Sequence, residues 1–209
     1  MSTRRDDLTL IAARLFAEKG YPGTSTADLA EALGVQKGSL YAHIESKADL
    51  LWEVAREGAA AFHAALDAVP DEGPALDRIR AALRGHLRVV AEQLDIATVF
   101  TREWRYLQCE RREQFVAERR RYEERVRALF REGRERGELR TDLDDATAAL
   151  LALSAVNWAY TWLRPRGAEG GTTSRPGAAG ASSLSAETDE LADRFTALLV
   201  EGMRGYATP

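Results

Sequence analysis

From Leu8 to Met203 the apolar residues recur three and four positions apart, and they nowhere sustain an alternation with polar ones. That spacing lines one side of an α-helix, whereas a strand on a core needs a period of two. The chain is therefore expected to be all-α, with about nine helices. Leu8, Ile11, Ala12, Leu15 and Phe16 make the inner face of a first helix, which Gly20 ends. In "STADLAEALG", Ser25 and Asp28 have capping-box spacing, so a second short helix runs to Gly34 with Leu29, Ala32 and Leu33 inward. A third is expected over residues 36–43, offering Leu40 and Ile44 to the core. "SKAD" repeats the capping logic at Ser46 and Asp49 and opens a long fourth helix, broken by "VPDEGP". Further amphipathic stretches cover 74–93, 95–108, 110–136, 142–164 and 185–205. Residues 165–184, "PRGAEGGTTSRPGAAGASSL", have few apolar anchors and are expected to form a flexible loop.

The 209 residues divide naturally into a small helical domain, 1–46, and a larger one, 47–209. A single cysteine, Cys109, excludes an internal disulfide framework and fits a reducing compartment. No stretch nears the roughly 18 uninterrupted apolar residues of a membrane span, so the expected location is cytoplasmic. The net charge of −4 argues against coating nucleic acid by bulk charge. Any DNA contact has to be local.

One segment supplies such contacts. The second and third helices, joined at "GVQK" and braced by the first, have helix-turn-helix spacing. The start of the third helix would point outward. Gln36, Lys37 and Ser39 would then meet base edges in a major groove, backed by Leu40 and Ile44. Tyr41 and His43 would flank them at the phosphates. Thr26 and Lys47, each at a helix start, would add a helix N-terminus and a cation. The bland alternative is that Tyr41 packs and His43 and Lys47 are solvated.

Over residues 11–51 the sequence resembles the DNA-binding domain of TetR-family transcriptional regulators, through "FAEKGY", "TSTADLA", "GVQKGSLYAH" and "SKADLL" in fixed order. Ile44 departs from the family, which usually has phenylalanine after the histidine, and this bears on packing more than on contact. The resemblance implies a homodimer on a palindromic double-stranded operator, with Thr26, Gln36, Lys37, Ser39, Tyr41, His43 and Lys47 at DNA-contacting positions. It also implies that the rest of the chain binds a small effector and dimerises through the last two helices.

The residues suggest where the effector goes. In "DLDDATAALLALSAVNWAYTWL" an apolar helix carries Ser154, Asn157 and Thr161 as a polar line with Trp158 beside it, the make-up of a ligand-facing stripe or of a satisfied packing surface. On the stripe of Phe115, Tyr122, Val126, Leu129 and Phe130 falls one arginine, Arg119. Desolvating it alone would cost several kcal/mol, so it needs a partner. Glu103, beside Phe100, Trp104 and Leu107, answers that need, and so does an anionic ligand. "REWRYL", "RRRYEERVRALFREG", "GELRTDLD" and "NWAYTWLRPRG" resemble the TetR-type subgroup that responds to acyl-coenzyme A esters, although about fifteen extra residues precede "LSAETDELADRF". For such an effector Trp104, Tyr122, Trp158 and Trp162 would line an apolar tunnel, with Arg102, Arg105, Arg119 or Arg164 at the phosphates. The rival effector is a lipophilic cation of the kind sensed by efflux-pump regulators, which would want more carboxylates.

No catalytic residue, metal site or cofactor is expected. His43, His63 and His86 lack ligand spacing, and there is no Gly-rich phosphate loop or nucleophile elbow. A purely structural helical dimer would leave residues 25–47 without a purpose.

Overall fold

The helical periods translate into nine α-helices and no strand among the described residues, which in this computed structural model are 4–42, 44–161 and 178–203. In chain order they are α1 Arg4–Lys19, α2 Thr26–Leu33, α3 Lys37–Leu40, α4 Lys47–Asp67, α5 Ala75–Glu92, α6 Leu94–Arg102, α7 Cys109–Glu135, α8 Asp145–Asn157 and α9 Ala178–Glu201. Short 3₁₀ turns follow α6 at Trp104–Tyr106 and α8 at Trp158–Thr161. None of the described helices is long and apolar enough to cross a membrane.

The chain forms two units, neither of them continuous in sequence. The first is residues 1–61 with 93–119, and the second is 62–92 with 120–209. In the first, α1 packs on α2 and α6, and α2 on α3. Its core includes Leu8, Phe16, Leu29, Leu40, Leu50, Val54 and Phe115, all but sealed from solvent. Gly58 lets α4 and α6 approach closely, since a Cβ there would stand 3.1 Å from Phe100 and 3.2 Å from Ile96. In the second unit α5 packs on α8 and α9. Arg88 makes a bidentate pair with Asp189 at 2.5 and 2.8 Å, and Arg84 pairs with Asp193.

Three boundaries differ from the sequence expectation. Helix α3 stops at Leu40 instead of running to residue 43, with a last helix-like bond from Ile44 N–H to the Leu40 carbonyl. Its first residue lacks a side-chain cap, and a single turn gains little from helix cooperativity. Helix α8 ends at Asn157 and tightens into the 3₁₀ turn. Helix α9 begins at Ala178, so residues 178–184 of the expected loop are helical. Alanine's helix propensity there outweighs the single glycine. The rest of that stretch, 165–177, lies outside the described residues.

The buried line of helix α9 and its end is Ala192, Thr196, Val200 and Met203, whereas Leu191 and Leu198 stand exposed, Leu198 by 79%.

Candidate DNA-binding surface and the turn that holds it

The capping box at the start of α2 forms in full. Asp28 N–H donates to Ser25 Oγ at 3.1 Å, and Ser25 N–H donates to Asp28 Oδ2 at 2.7 Å. Lys19 adds an ion pair at 2.6 Å, and with the Ser25 bonds it holds the Asp28 carboxyl well below the usual carboxylate range. Helix geometry leaves the Thr26 and Ala27 N–H groups without intrahelical acceptors, at the positive end of the dipole. At the other end Gly34 caps α2 with φ 71° and ψ 30°. This left-handed conformation redirects the chain, and it costs a residue with a Cβ about 1–2 kcal/mol.

Beyond Gly34 the side chains sort by face. Leu40 is fully buried and Ile44 nearly so, whereas Gln36, Ser39 and Tyr41 are exposed. Lys37 opens α3. His43 lies outside the described residues. A one-turn helix seated on two aliphatic anchors thus presents polar groups outward, the form a major-groove reader takes.

Lys47 is placed otherwise than a solvated cation. Its Nζ donates to the Tyr21 carbonyl at 2.9 Å and the Thr24 carbonyl at 2.7 Å, and it lies 4.2 Å from the centre of the Tyr21 ring. Two of its three protons serve the α1–α2 turn. Burial lowers its pKa.

The same turn is gripped from α6. Glu103, the C-cap of α6 and only 6% exposed, accepts the Tyr21 N–H at 2.9 Å. The Tyr21 ring meets Phe16 edge-on at 5.3 Å and stacks on Tyr106 at 5.6 Å. Thr24, buried, donates to the Gly20 carbonyl at 2.9 Å. The first turn of α4 and the end of α6 therefore both fasten on one residue. Sequence reading missed Tyr21 and Thr24, which stood at the end of "FAEKGY" and the start of "TSTADLA" but look like ordinary turn residues.

Glu103 is thus committed to a backbone amide and not to the expected pair with Arg119. Arg119 lies over the Trp104 ring at 5.7 Å. Trp104 in turn stacks on Phe115 at 5.9 Å, and Phe115 meets Phe100 edge-on at 4.9 Å. Apart from Arg102 and Arg105, the remaining effector candidates belong to the second unit. Tyr122 is buried, its hydroxyl 3.0 Å from His86 Nδ1. Asn157 is half-buried, and Thr161 donates to the Trp158 carbonyl at 2.8 Å. Ser154 and Trp158 are exposed, Trp158 by 62%, in line with Leu150 at four-residue spacing. Trp162 lies outside the described residues. Among the described residues no acidic, cysteine or histidine side chains gather as a metal-holding group.

A one-turn helix with exposed polar residues, set behind a glycine turn and packed on α2, which α1 braces, has the form of a helix-turn-helix DNA-binding protein. Residues 10–54 match the family "Bacterial regulatory proteins, tetR family", and residues 72–172 match "Tetracyclin repressor-like, C-terminal domain". The transcriptional repressor KstR2 of Mycolicibacterium smegmatis is 41% identical over 56 residues, 27% of each chain. KstR2 of Rhodococcus jostii is 29% identical over 171 residues, 79% of this chain and 82% of that one. Among solved structures, PfmR of Thermus thermophilus has 30% identity, full coverage of both chains and a TM-score of 0.79. AibR, in complex with isovaleryl coenzyme A and operator DNA, has 26% identity over 94% of this chain and 97% of that one, with a TM-score of 0.77. The chain belongs to the TetR family of transcriptional regulators, which are DNA-binding proteins and not enzymes.

Proposed function

We propose that the protein is a homodimeric repressor that binds a palindromic operator through α3 and is released by an acyl-CoA or similar lipophilic anion. The carrying observation is the split of α3, with Gln36, Ser39 and Tyr41 exposed over buried Leu40 and Ile44. Gln36, Lys37 and Ser39 read base edges. Thr26, Tyr41, His43 and the remaining Lys47 proton meet phosphates.

For the dimer, α8 and α9 each leave large apolar side chains in solvent: Leu150, Leu151 and Trp158 on one, Leu191 and Leu198 on the other. Burying such a side chain yields about 1.5–3 kcal/mol, and a two-fold axis uses the same patch on both copies. Ser154 and Trp158 belong to this face and not to the effector contacts.

The effector reading is supported by AibR, a relative bound to isovaleryl coenzyme A. Arg119 on the Trp104 ring is the proposed partner of the anionic part. Lipophilic cations are disfavoured because Glu103, the carboxylate they would need, is already engaged by the Tyr21 amide. Release follows from population shift: an effector that favours another position of α4 or α6 moves the Tyr21 turn, and the two reading helices leave the spacing of roughly 34–36 Å set by successive major grooves.

Mobility shift with DNA from the protein's own upstream region tests this. A salt-sensitive shift, reversed by isovaleryl- or octanoyl-CoA but not by octanoic acid or a cationic dye, is expected. No shift with any neighbouring intergenic DNA refutes repression; release by the dye alone refutes the anion.

A further inference from the structure

Glu45, just ahead of α4, and Asp49, Trp52, Glu53 and Arg56 within it follow helical spacing and share one face. That face opens on a cleft of about 620 Å³, within the range of small-molecule sites. Its other walls come from Arg5 of α1, Arg111 of α7, and Tyr41 and Ile44 in the stretch between α3 and α4. All the lining residues belong to the first unit, and none of them is among the effector candidates.

Four of the six charged side chains in the cleft are already committed. Glu53 pairs with Arg5 and accepts a longer bond, at 3.5 Å, from the Thr9 hydroxyl. Asp49 accepts the Ser46 O–H at 2.6 Å on one oxygen and pairs with Arg111 at 2.5 Å through the other. Glu45 acts on Arg5 through its charge but makes no ion pair or hydrogen bond among the described residues, and Arg56 makes none either. Both are exposed. The rest of the lining is aromatic or aliphatic, with Trp52 half-buried, Tyr41 52% exposed, and Ile44 and Leu50 buried.

Three guanidiniums thus balance three carboxylates, and one of each sign is uncommitted. A plain anion would gain from Arg56 and be repelled by the carboxylates beside it; a plain cation would meet the reverse. A zwitterion answers both. Glu45 and Arg56 stand about three helical turns apart, about 16 Å, a gap that their own side chains shorten. An extended tripeptide spans about 10 Å, whereas a single amino acid is too short to reach both. We infer that this cleft is a second ligand site, which takes a short free peptide with its ammonium at Glu45, its carboxylate at Arg56 and an aromatic side chain against Trp52. The inference stands apart from the acyl-CoA reading, which uses other residues.

The test uses the full chain carrying 5-fluorotryptophan and the peptide Ala-Phe-Ala with free ends, beside its N-acetylated and C-amidated forms. The Trp52 fluorine signal is identified by its loss in Trp52→Phe. The free peptide at millimolar concentration is expected to move that signal. Each blocked form should bind about twofold to fivefold more weakly, the range of one exposed ion pair. Glu45→Gln should abolish the loss caused by acetylation and keep the loss caused by amidation, and Arg56→Gln the reverse. An unmoved Trp52 signal, blocked peptides that bind as well as the free one, or variants that leave both losses in place overturn the inference. So does tighter binding of phenylpropionate or phenethylamine than of the peptide, which would make the cleft a site for a plain anion or cation. If Trp52→Phe does not fold, calorimetry with the three peptides on the wild-type chain and the two surface variants decides alone.

Discussion

Glu103→Ala should loosen the DNA-binding head without touching a DNA contact. The carboxylate is nearly sealed from solvent and accepts the Tyr21 N–H at 2.9 Å. Hydrogen bonds to charged groups contribute about 1.5–3 kcal/mol, and alanine leaves the amide with neither the carboxylate nor free access to water. For a chain of this size each kcal/mol moves the midpoint by about 2–4 °C, so unfolding should shift down by about 3–12 °C. Glu103→Gln keeps an acceptor oxygen but loses the charge, and it should fall by less than half as much. Thermal unfolding followed by circular dichroism reads the stability. Mobility shift reads the second effect, a weaker complex, because the turn that sets α2 loses its grip from α6. Unchanged unfolding and unchanged DNA affinity in Glu103→Ala would refute the clamp.

Gly34→Ala places a Cβ at φ 71° with nothing within 4 Å of it, so the loss is conformational strain of about 1–2 kcal/mol, measurable by urea unfolding. The His86 pKa, depressed to about 3, is far below the value of an unfolded histidine. As pH falls below about 6.5 the unfolded chain takes up a proton that the native ring refuses, so stability drops, by about 2 kcal/mol at pH 5. That loss should be absent from His86→Phe when the two proteins are compared in urea at pH 7.5 and pH 5. Leu198→Asp and Trp158→Asp should yield monomers in sedimentation and abolish tight operator binding; dimers in both would refute the α8–α9 face.

Helix existence, the capping box at Ser25 and the inward placing of Leu40 and Ile44 were legible because each depends on residues within one turn of one another. Phe115, Tyr122, Val126, Leu129 and Phe130 were likewise readable as a buried stripe, and all five are buried. What escaped depends on partners far apart in sequence. The Tyr21 amide meets a carboxylate 82 positions away, and no local pattern announces that. Arg119 and Glu103 each lie on the apolar side of their helix, which invited pairing them, but the charge of Glu103 was satisfied by a backbone group, invisible to a reading of side chains. Ser154 and Trp158 looked pocket-facing because an all-apolar helix does not show which side meets its own chain. The α5 period likewise places His86 on the buried line, where the structure has it.

The grips on Tyr21 also decide where this protein can be cut and rejoined. A chimera made at the sequence boundary, residues 1–46 on another regulator's body, would leave behind both Lys47 and Glu103, the donors and the acceptor that hold the turn. The transplanted head would read its operator with a turn held only by its own Phe16 and Thr24 contacts, and an effector signal would have no firm point on which to act. A working exchange has to carry those two residues across with the head, or supply an amine and a carboxylate at the matching places in the recipient.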